Sequence, residues 1–201
     1  MTVQTIAPSP TRRLIAGLNR PSLLWLLVAS IVSIGLVGLA NSILEASYVA
    51  SRFPVPFAQG QTTFDGPLIK SYYQTMLDLG TFQIYVRTQW LDFLFILATG
   101  LMGLSLWTLV ARLHAPGSRF RSLGLWFALA IPLAGVCDIV ENLISFVMLA
   151  DPTGFPNSLA LFYSTAAVVK FAFWAIGILW LAVSLVALAL IRLARLIKGR
   201  A

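Results

Sequence analysis

Two carboxylates and an amide lie within one apolar stretch of this chain, and they have the spacing of neighbours on a helix. Asp138, Glu141 and Asn142 are related as i, i+3 and i+4, so a helix would put all three side chains on one face. Carboxylates can hold a cation, pass a proton or act as acid and base, and an amide can donate to one of them. Charges at membrane depth are costly, and they usually face a bundle interior and mark a site. This face is therefore the first candidate for chemistry in the chain.

The composition is that of an integral membrane protein. Of 201 residues, 59% are hydrophobic and 10% are charged, and the mean hydropathy is +0.87. A soluble domain is about 45–50% apolar and about 25% charged. The formal net charge is +7, but the basic residues cluster at the ends of apolar runs, which orientation in a membrane explains better than nucleic-acid binding. We therefore expect the lipid bilayer as a partner and no nucleic acid.

The residues available for cofactor or metal chemistry are few. The single cysteine, Cys137, cannot form an intrachain disulfide or a thiolate cage, and the single histidine, His114, excludes ligation of haem or zinc by paired histidines. A glycine-rich phosphate loop and the motifs H-E-x-x-H, G-x-S-x-G and C-x-x-C are all missing from the sequence. We therefore predict no cofactor and no metal site, and disfavour ATP-driven transport by this chain alone, zinc proteolysis, serine hydrolysis and thiol redox chemistry.

Four apolar runs predict the elements that must position the candidate site. They lie at about residues 22–44, 90–112, 123–150 and 158–191, and each is long enough to span a bilayer as a helix. The predicted fold is thus an all-α integral membrane four-helix bundle over residues 22–192, with an N-terminal arm (1–21) and a basic tail (193–201). In the long loop between the first two spans, Asp65-Gly66-Pro67 is typical of a helix start. We predict a short amphipathic helix there, from Leu68 to Leu79.

Loop charges divide unevenly between the two sides of the predicted bundle. One side combines Arg52, Lys70 and Arg87 with four acidic residues, whereas the other is basic and has no acid. The positive-inside rule then places both termini in the cytoplasm and predicts a multi-pass protein of the cell inner (plasma) membrane. Anionic lipids are the expected partners of the basic side. Its residues are Arg12, Arg13, Arg20, Arg112, Arg119, Arg121, Arg192, Arg195, Lys198 and Arg200.

The charged residues inside the spans fall at one predicted height. At ~1.5 Å per residue, they lie about 25–33 Å from the basic inner boundary, which is the outer half of the bilayer. We therefore predict one outward-facing polar site that joins three spans. Its candidate ligand-binding or proton-handling residues are Asp92, Asp138, Glu141, Asn142 and Lys170, and the candidates for its rim are Asn41, Glu45, Tyr85 and Arg87.

The predicted site contains more acid than base. Three carboxylates face one ammonium, so two negative charges would be unbalanced if every group were ionised. A buried unpaired charge is neutralised rather than left ionised. We expect at least one carboxyl group to be protonated at neutral pH, or Arg87 or a cationic ligand to complete the pairing.

Three functions agree with such a site. The first is to bind or move a small cation, a proton or a polar lipid. The second is catalysis by a membrane-embedded enzyme that uses the carboxylates as acid and base on a lipid or isoprenoid. The third is a non-catalytic membrane subunit or assembly factor in which the ionic cluster is purely structural, because interhelical polar contacts also hold bundles together. A homo-oligomer or a partner subunit is compatible with each function.

Residues 79 to about 175 resemble a group of uncharacterised bacterial four-span membrane proteins. The most distinctive part of the resemblance is the D-x-x-E-N stretch from Asp138 to Asn142 in the third span. The resemblance implies the four-span fold, but it does not indicate which activity the chain has. A more distant similarity is to sterol-isomerase-like membrane proteins, which are small bundles with intramembrane carboxylates. The other positions that carry the first resemblance are Leu79, Gly80, Tyr85, Arg87, Asp92, Phe95 and Lys170.

Overall fold

The computed structural model describes residues 9–199, except for the side chains of residues 10–12. Of the predicted basic side, Arg200 and the side chain of Arg12 lie outside this part, as do residues 1–8 of the predicted arm. The described chain is helical and contains no strand. In order, its helices are α1 (Pro10–Leu18), α2 (Leu23–Ser51), α3 (Phe57–Gln61), α4 (Gly66–Asp78), α5 (Phe82–Met102), α6 (Thr108–Leu113), α7 (Arg119–Ala150) and α8 (Ser158–Lys198).

Four helices are long and apolar enough to cross a membrane, which confirms the predicted all-α four-span bundle. Three are α2, α7 and α8, and the fourth is continuous from α5 through a π-helical segment, Gly103–Trp107, into α6. Serine side chains begin two of them: Ser22 accepts a hydrogen bond from the Trp25 N–H, and Ser118 accepts one from the Arg121 N–H. The chain is a multi-pass membrane protein whose apolar helix surfaces contact the lipid bilayer.

Both α2 and α5 extend beyond the residues that hydropathy predicts to lie in the bilayer. The first predicted span ends near Leu44, but α2 continues to Ser51 because its outer end packs against protein. There the Ser47 hydroxyl lies 2.8 Å from the Thr88 hydroxyl of α5, and Tyr48 is buried. Hydropathy measures how well a segment suits lipid, so it does not detect helix that continues through protein contacts.

The predicted amphipathic helix of the first outer loop is α4. The Asp65 carboxylate caps it by accepting a hydrogen bond from the Leu68 N–H at 3.0 Å, and Pro67 occupies its first turn. Its apolar face buries Tyr73 and Met76 in an aromatic cluster above the spans. The five-residue helix α3 precedes it and was not predicted. Together α3 and α4 cover the outer end of the bundle.

The four spans form an open arc. Extensive contacts join α2 to α5, α5 to α7 and α7 to α8. Across the described residues, the two ends of the arc, α2 and α8, share no contact of comparable extent, whereas α3 and α4 both touch α8. The arc therefore leaves a gap between α2 and α8 beneath the outer loop.

In the inner half of the arc, neighbouring helices approach closely because glycines pack against large side chains. A Cβ atom added to Gly177 of α8 or to Gly103 would collide with Ile131 of α7. The Trp107 indole N–H donates to the Gly177 carbonyl oxygen at 3.1 Å, so the close approach also satisfies a buried donor. This packing fixes α8 against α7 below the level of the candidate site.

Candidate functional site

Lys170 of α8 lies at the centre of a buried ionic cluster with α7. Its Nζ donates to Asp138 Oδ1 at 2.8 Å and lies 2.6 Å from Glu141 Oε2. The second contact is an ion pair, and neither Glu141 oxygen has a hydrogen-bond partner among the described residues. Both carboxylates reach one lysine because residues three apart share a helix face.

Asp92 joins this cluster from α5. The Asn142 Nδ2 donates to Asp92 Oδ2 at 2.7 Å, and both side chains are buried. Within the described residues, Asn142 Oδ1 has no hydrogen-bond partner. All five candidate site residues thus lie in one buried layer that α5, α7 and α8 share.

The cluster retains an excess of acid. Lys170 is the one cation within 4 Å of its carboxylates among the described residues. Arg87 does not complete the pairing, because its exposed side chain lines a separate groove with Ile43 and Ser47. A retained proton or a bound cation is therefore left to balance the remaining negative charge.

A cavity of about 460 Å³ adjoins the cluster. Asp92, Asp138 and Lys170 are the members of the cluster that line it, whereas Glu141 is completely buried and contacts the cavity-lining Lys170. The volume lies in the ~300–1,000 Å³ range of ligand pockets. Much of the remaining wall is apolar or aromatic and includes Leu44, Tyr48, Phe57, Phe95, Phe171 and Trp174.

The four rim candidates separate into two groups. Asn41 and Glu45 line the cavity from α2, and both are exposed. Tyr85 does not line it: its ring is buried and stacks on Phe53 with the ring centroids 4.9 Å apart. Arg87 lies on the separate groove. Of the four rim candidates, the two from α2 therefore line the cavity and the two from α5 do not.

Gln61 of α3 is a cavity residue that sequence reasoning missed. Its side chain is 2% exposed, it lines the cavity, and its Oε1 has no hydrogen-bond partner within the described residues. A buried acceptor without a donor is costly, so a ligand donor there would stabilise the site. The sequence offered no signal, because a five-residue helix is too short to show a periodic pattern.

The carboxylates of the cluster are not arranged as a set of metal ligands. In the described part of the chain, no group of three or more His, Cys, Asp or Glu side chains could hold a metal ion. Asp138 and Glu141 meet the Lys170 ammonium, while Asp92 meets the Asn142 amide. The observed geometry is one of ion pairs and hydrogen bonds.

No protein-family model matches the chain, and no curated protein or solved structure is significantly similar to it. The resemblance to bacterial four-span membrane proteins therefore stays a prediction. Because fold alone does not imply function, the cavity and its charged residues are the basis for a functional proposal.

Proposed function

We propose that this integral membrane protein binds or moves a small cation, a proton or a polar lipid at an outward-facing intramembrane site. The observation that carries the proposal is the position of Asp92. Its carboxylate lines the cavity and accepts one hydrogen bond from an amide, while the ammonium of Lys170 pairs with two other acids. A ligand that brings positive charge into the cavity would supply what the cluster lacks.

A purely structural cluster is the main alternative. The ion pairs of Lys170 join α8 to α7, and polar contacts between membrane helices contribute about 0.6–2 kcal/mol each. That role accounts for the contacts of Glu141, which is completely buried. It does not account for a cavity beside Asp92 and Asp138, because such a void removes packing contacts from the residues that line it.

In the proposed orientation, the protein lies in the inner membrane of the cell and both of its termini are in the cytoplasm. Four arginines gather around one groove at the end of the bundle opposite the outer loop: Arg112, Arg121, Arg192 and Arg195. This grouping supports a cytoplasmic face that contacts anionic lipids. Cysteines introduced at Asp65 and at Arg119, in a Cys137→Ser background, test it: an impermeant thiol reagent added outside the cell should label only the first.

A membrane-embedded enzyme is the second candidate. Asp92 lines the cavity without a cation in contact, so it could accept a proton from a lipid or isoprenoid, with Asp138, the other cavity-lining carboxyl group of the cluster, as the acid. A non-catalytic subunit or assembly factor is the third, and α2 would offer it a contact surface, since its apolar face is mostly exposed.

Ligand binding is tested on the purified protein in lipid nanodiscs. We expect ethylamine, dodecylamine or a change of proton concentration to shift the intrinsic tryptophan fluorescence in a saturable way, because Trp174 lines the cavity. Asp92→Asn should weaken the response about tenfold, the effect of one charged contact. Asp78→Asn, at an exposed acid of α4, is the matched control and should leave it unchanged. If every amine and proton response is the same in Asp92→Asn and the parent protein, the cluster is structural.

A further inference from the structure

We propose that the ligand is a membrane-borne amphiphile with one cationic, N–H-bearing head group, and that it enters the cavity sideways between α2 and α8. This inference rests on the proposed function and specifies its ligand class. Four observations carry it: the gap in the arc, the covered outer end, the volume and apolar wall of the cavity, and its uncompensated acceptors.

The two helices on either side of the gap, α2 and α8, both line the cavity. Val37 and Asn41 of α2 lie on one wall of the cavity, and Phe171 and Trp174 of α8 lie on another. Because these two helices are long and apolar enough to cross a membrane and share no extensive contact, the space between them would open onto lipid at the level of the polar cluster. A bilayer-dissolved molecule would meet this opening by diffusion in the plane of the membrane.

The outer side of the cavity is covered by protein. Phe57, Ala58 and Gln61 of α3 line it from the outer loop. The loop is fastened to the spans at both ends, since the Tyr48 hydroxyl donates to the Val55 carbonyl oxygen at 2.8 Å and the Phe64 N–H donates to Ser164 Oγ at 3.0 Å. The route from lipid therefore requires less rearrangement than a route from the outer aqueous phase.

The dimensions and wall of the cavity fit an organic molecule. Its volume of about 460 Å³ equals that of roughly 15 water molecules, which exceeds the need of a proton or a dehydrated inorganic ion. Leu44, Phe95, Phe171 and Trp174 offer apolar and aromatic surface to a hydrocarbon chain. A hydrocarbon chain that moves from the bilayer into the cavity exchanges contacts with lipid tails for contacts with these residues. The transfer therefore costs little free energy.

The polar groups of the cavity select a donor with positive charge. Asp92 is available as a counter-ion, and Glu45 adds a second carboxylate on α2. The Gln61 Oε1 acceptor has no donor in the described structure, so an ammonium that carries N–H groups satisfies it whereas a fully alkylated one does not. An anionic head group would meet Asp92 and Glu45 with like charge and is disfavoured.

Head-group and chain selectivity are tested with brominated probes that quench tryptophan fluorescence in nanodiscs. We expect a brominated dodecylamine to give a saturable quenching component that Trp174→Phe removes and Asp92→Asn weakens about tenfold. Asp78→Asn should retain it. Equal affinity for brominated ethylamine would overturn the amphiphile while leaving the proposed cation site intact. Equal affinity for brominated dodecanoate would overturn the cationic head group. If no probe distinguishes Asp92→Asn from the parent protein, the proposed function is overturned as well.

The access route is tested by narrowing each opening in turn. Val37→Phe narrows the gap between α2 and α8, and Ala58→Phe enlarges a side chain of the outer cover. We expect Val37→Phe to slow association of the brominated amine more than Ala58→Phe, with thermal unfolding confirming that both variants are folded. A milder pair, Val37→Leu and Ala58→Val, replaces them if either fails to fold. The reverse order of rates would overturn access from the bilayer.

Discussion

The ammonium of Lys170 lies 2.8 Å from Asp138 Oδ1 and thereby joins α8 to α7 within the membrane-spanning part of the bundle. The same ammonium also meets Glu141 at 2.6 Å. One cation thus holds two carboxylates of α7, and its removal exposes both of them to an environment that disfavours charge. The lysine is the group on which the electrostatics of the cluster depend.

Lys170→Met should destabilise the protein by about 3–5 kcal/mol, because it leaves two buried carboxylates without a partner. Adding Asp138→Asn should restore only part of the loss, since Glu141 remains unpaired. The triple variant with Glu141→Gln should return close to the parent stability. Unfolding in detergent, followed by tryptophan fluorescence, measures this series.

The exposed Lys198 of α8 supplies the control for this series, and Lys198→Met should change stability by less than about 0.5 kcal/mol. Equal stability of Lys170→Met and the parent protein would mean that the ion pairs contribute nothing to folding. Full recovery in the double variant would mean that the Glu141 contact is unimportant.

Gly177→Ala should destabilise the bundle by about 1–3 kcal/mol, because the added Cβ collides with the Ile131 side chain. Ile131→Val shortens that side chain and should recover part of the loss in the double variant. Gly38→Ala on α2 is the matched control, since its Cβ would meet no other atom within 4 Å. Thermal unfolding in the same detergent compares the three, and equal effects of the two glycine substitutions would contradict the close approach.

The convergence of α5, α7 and α8 was predictable from sequence because each contributes its charges within a long apolar run. Asp138, Glu141 and Asn142 share a face by spacing alone, and the inner boundary supplies a common origin from which depth is counted. Exposing these charged side chains of α7 to lipid is costly in free energy, so few arrangements are left other than contact with Asp92 and Lys170.

The cavity and its cover were not predictable in the same way. Tyr85 and Gln61 are buried by partners distant in sequence, and aromatic or amide residues near a membrane surface have no periodic signature of burial. The gap between α2 and α8 depends on which pairs of helices pack, and four apolar helices of similar composition do not specify that choice by hydropathy. Side-chain shape, such as glycine against Ile131, decides it instead.

Acid should destabilise the inner end of the bundle through His114. Burial lowers the pKa of its imidazole, and the ring lies against Ser184, with Nε2 2.7 Å from the hydroxyl oxygen. The surrounding groove contains four arginines, so a proton on the ring also meets like charge. The folded-state pKa of His114 lies below the unfolded value of about 6.5. The stability that the neutral, buried ring contributes is therefore fully present above that value and is lost as pH falls through the folded-state pKa.

The measurement is the unfolding temperature between about pH 8 and pH 4 for the parent protein and for His114→Gln, which keeps a polar group beside Ser184 but cannot take up the proton. We expect the parent protein to lose more stability than the variant on acidification. Parallel pH profiles would show that His114 is not the source of the acid sensitivity. Because the intramembrane carboxylates are unchanged in both proteins, the difference between the two profiles isolates the contribution of the histidine.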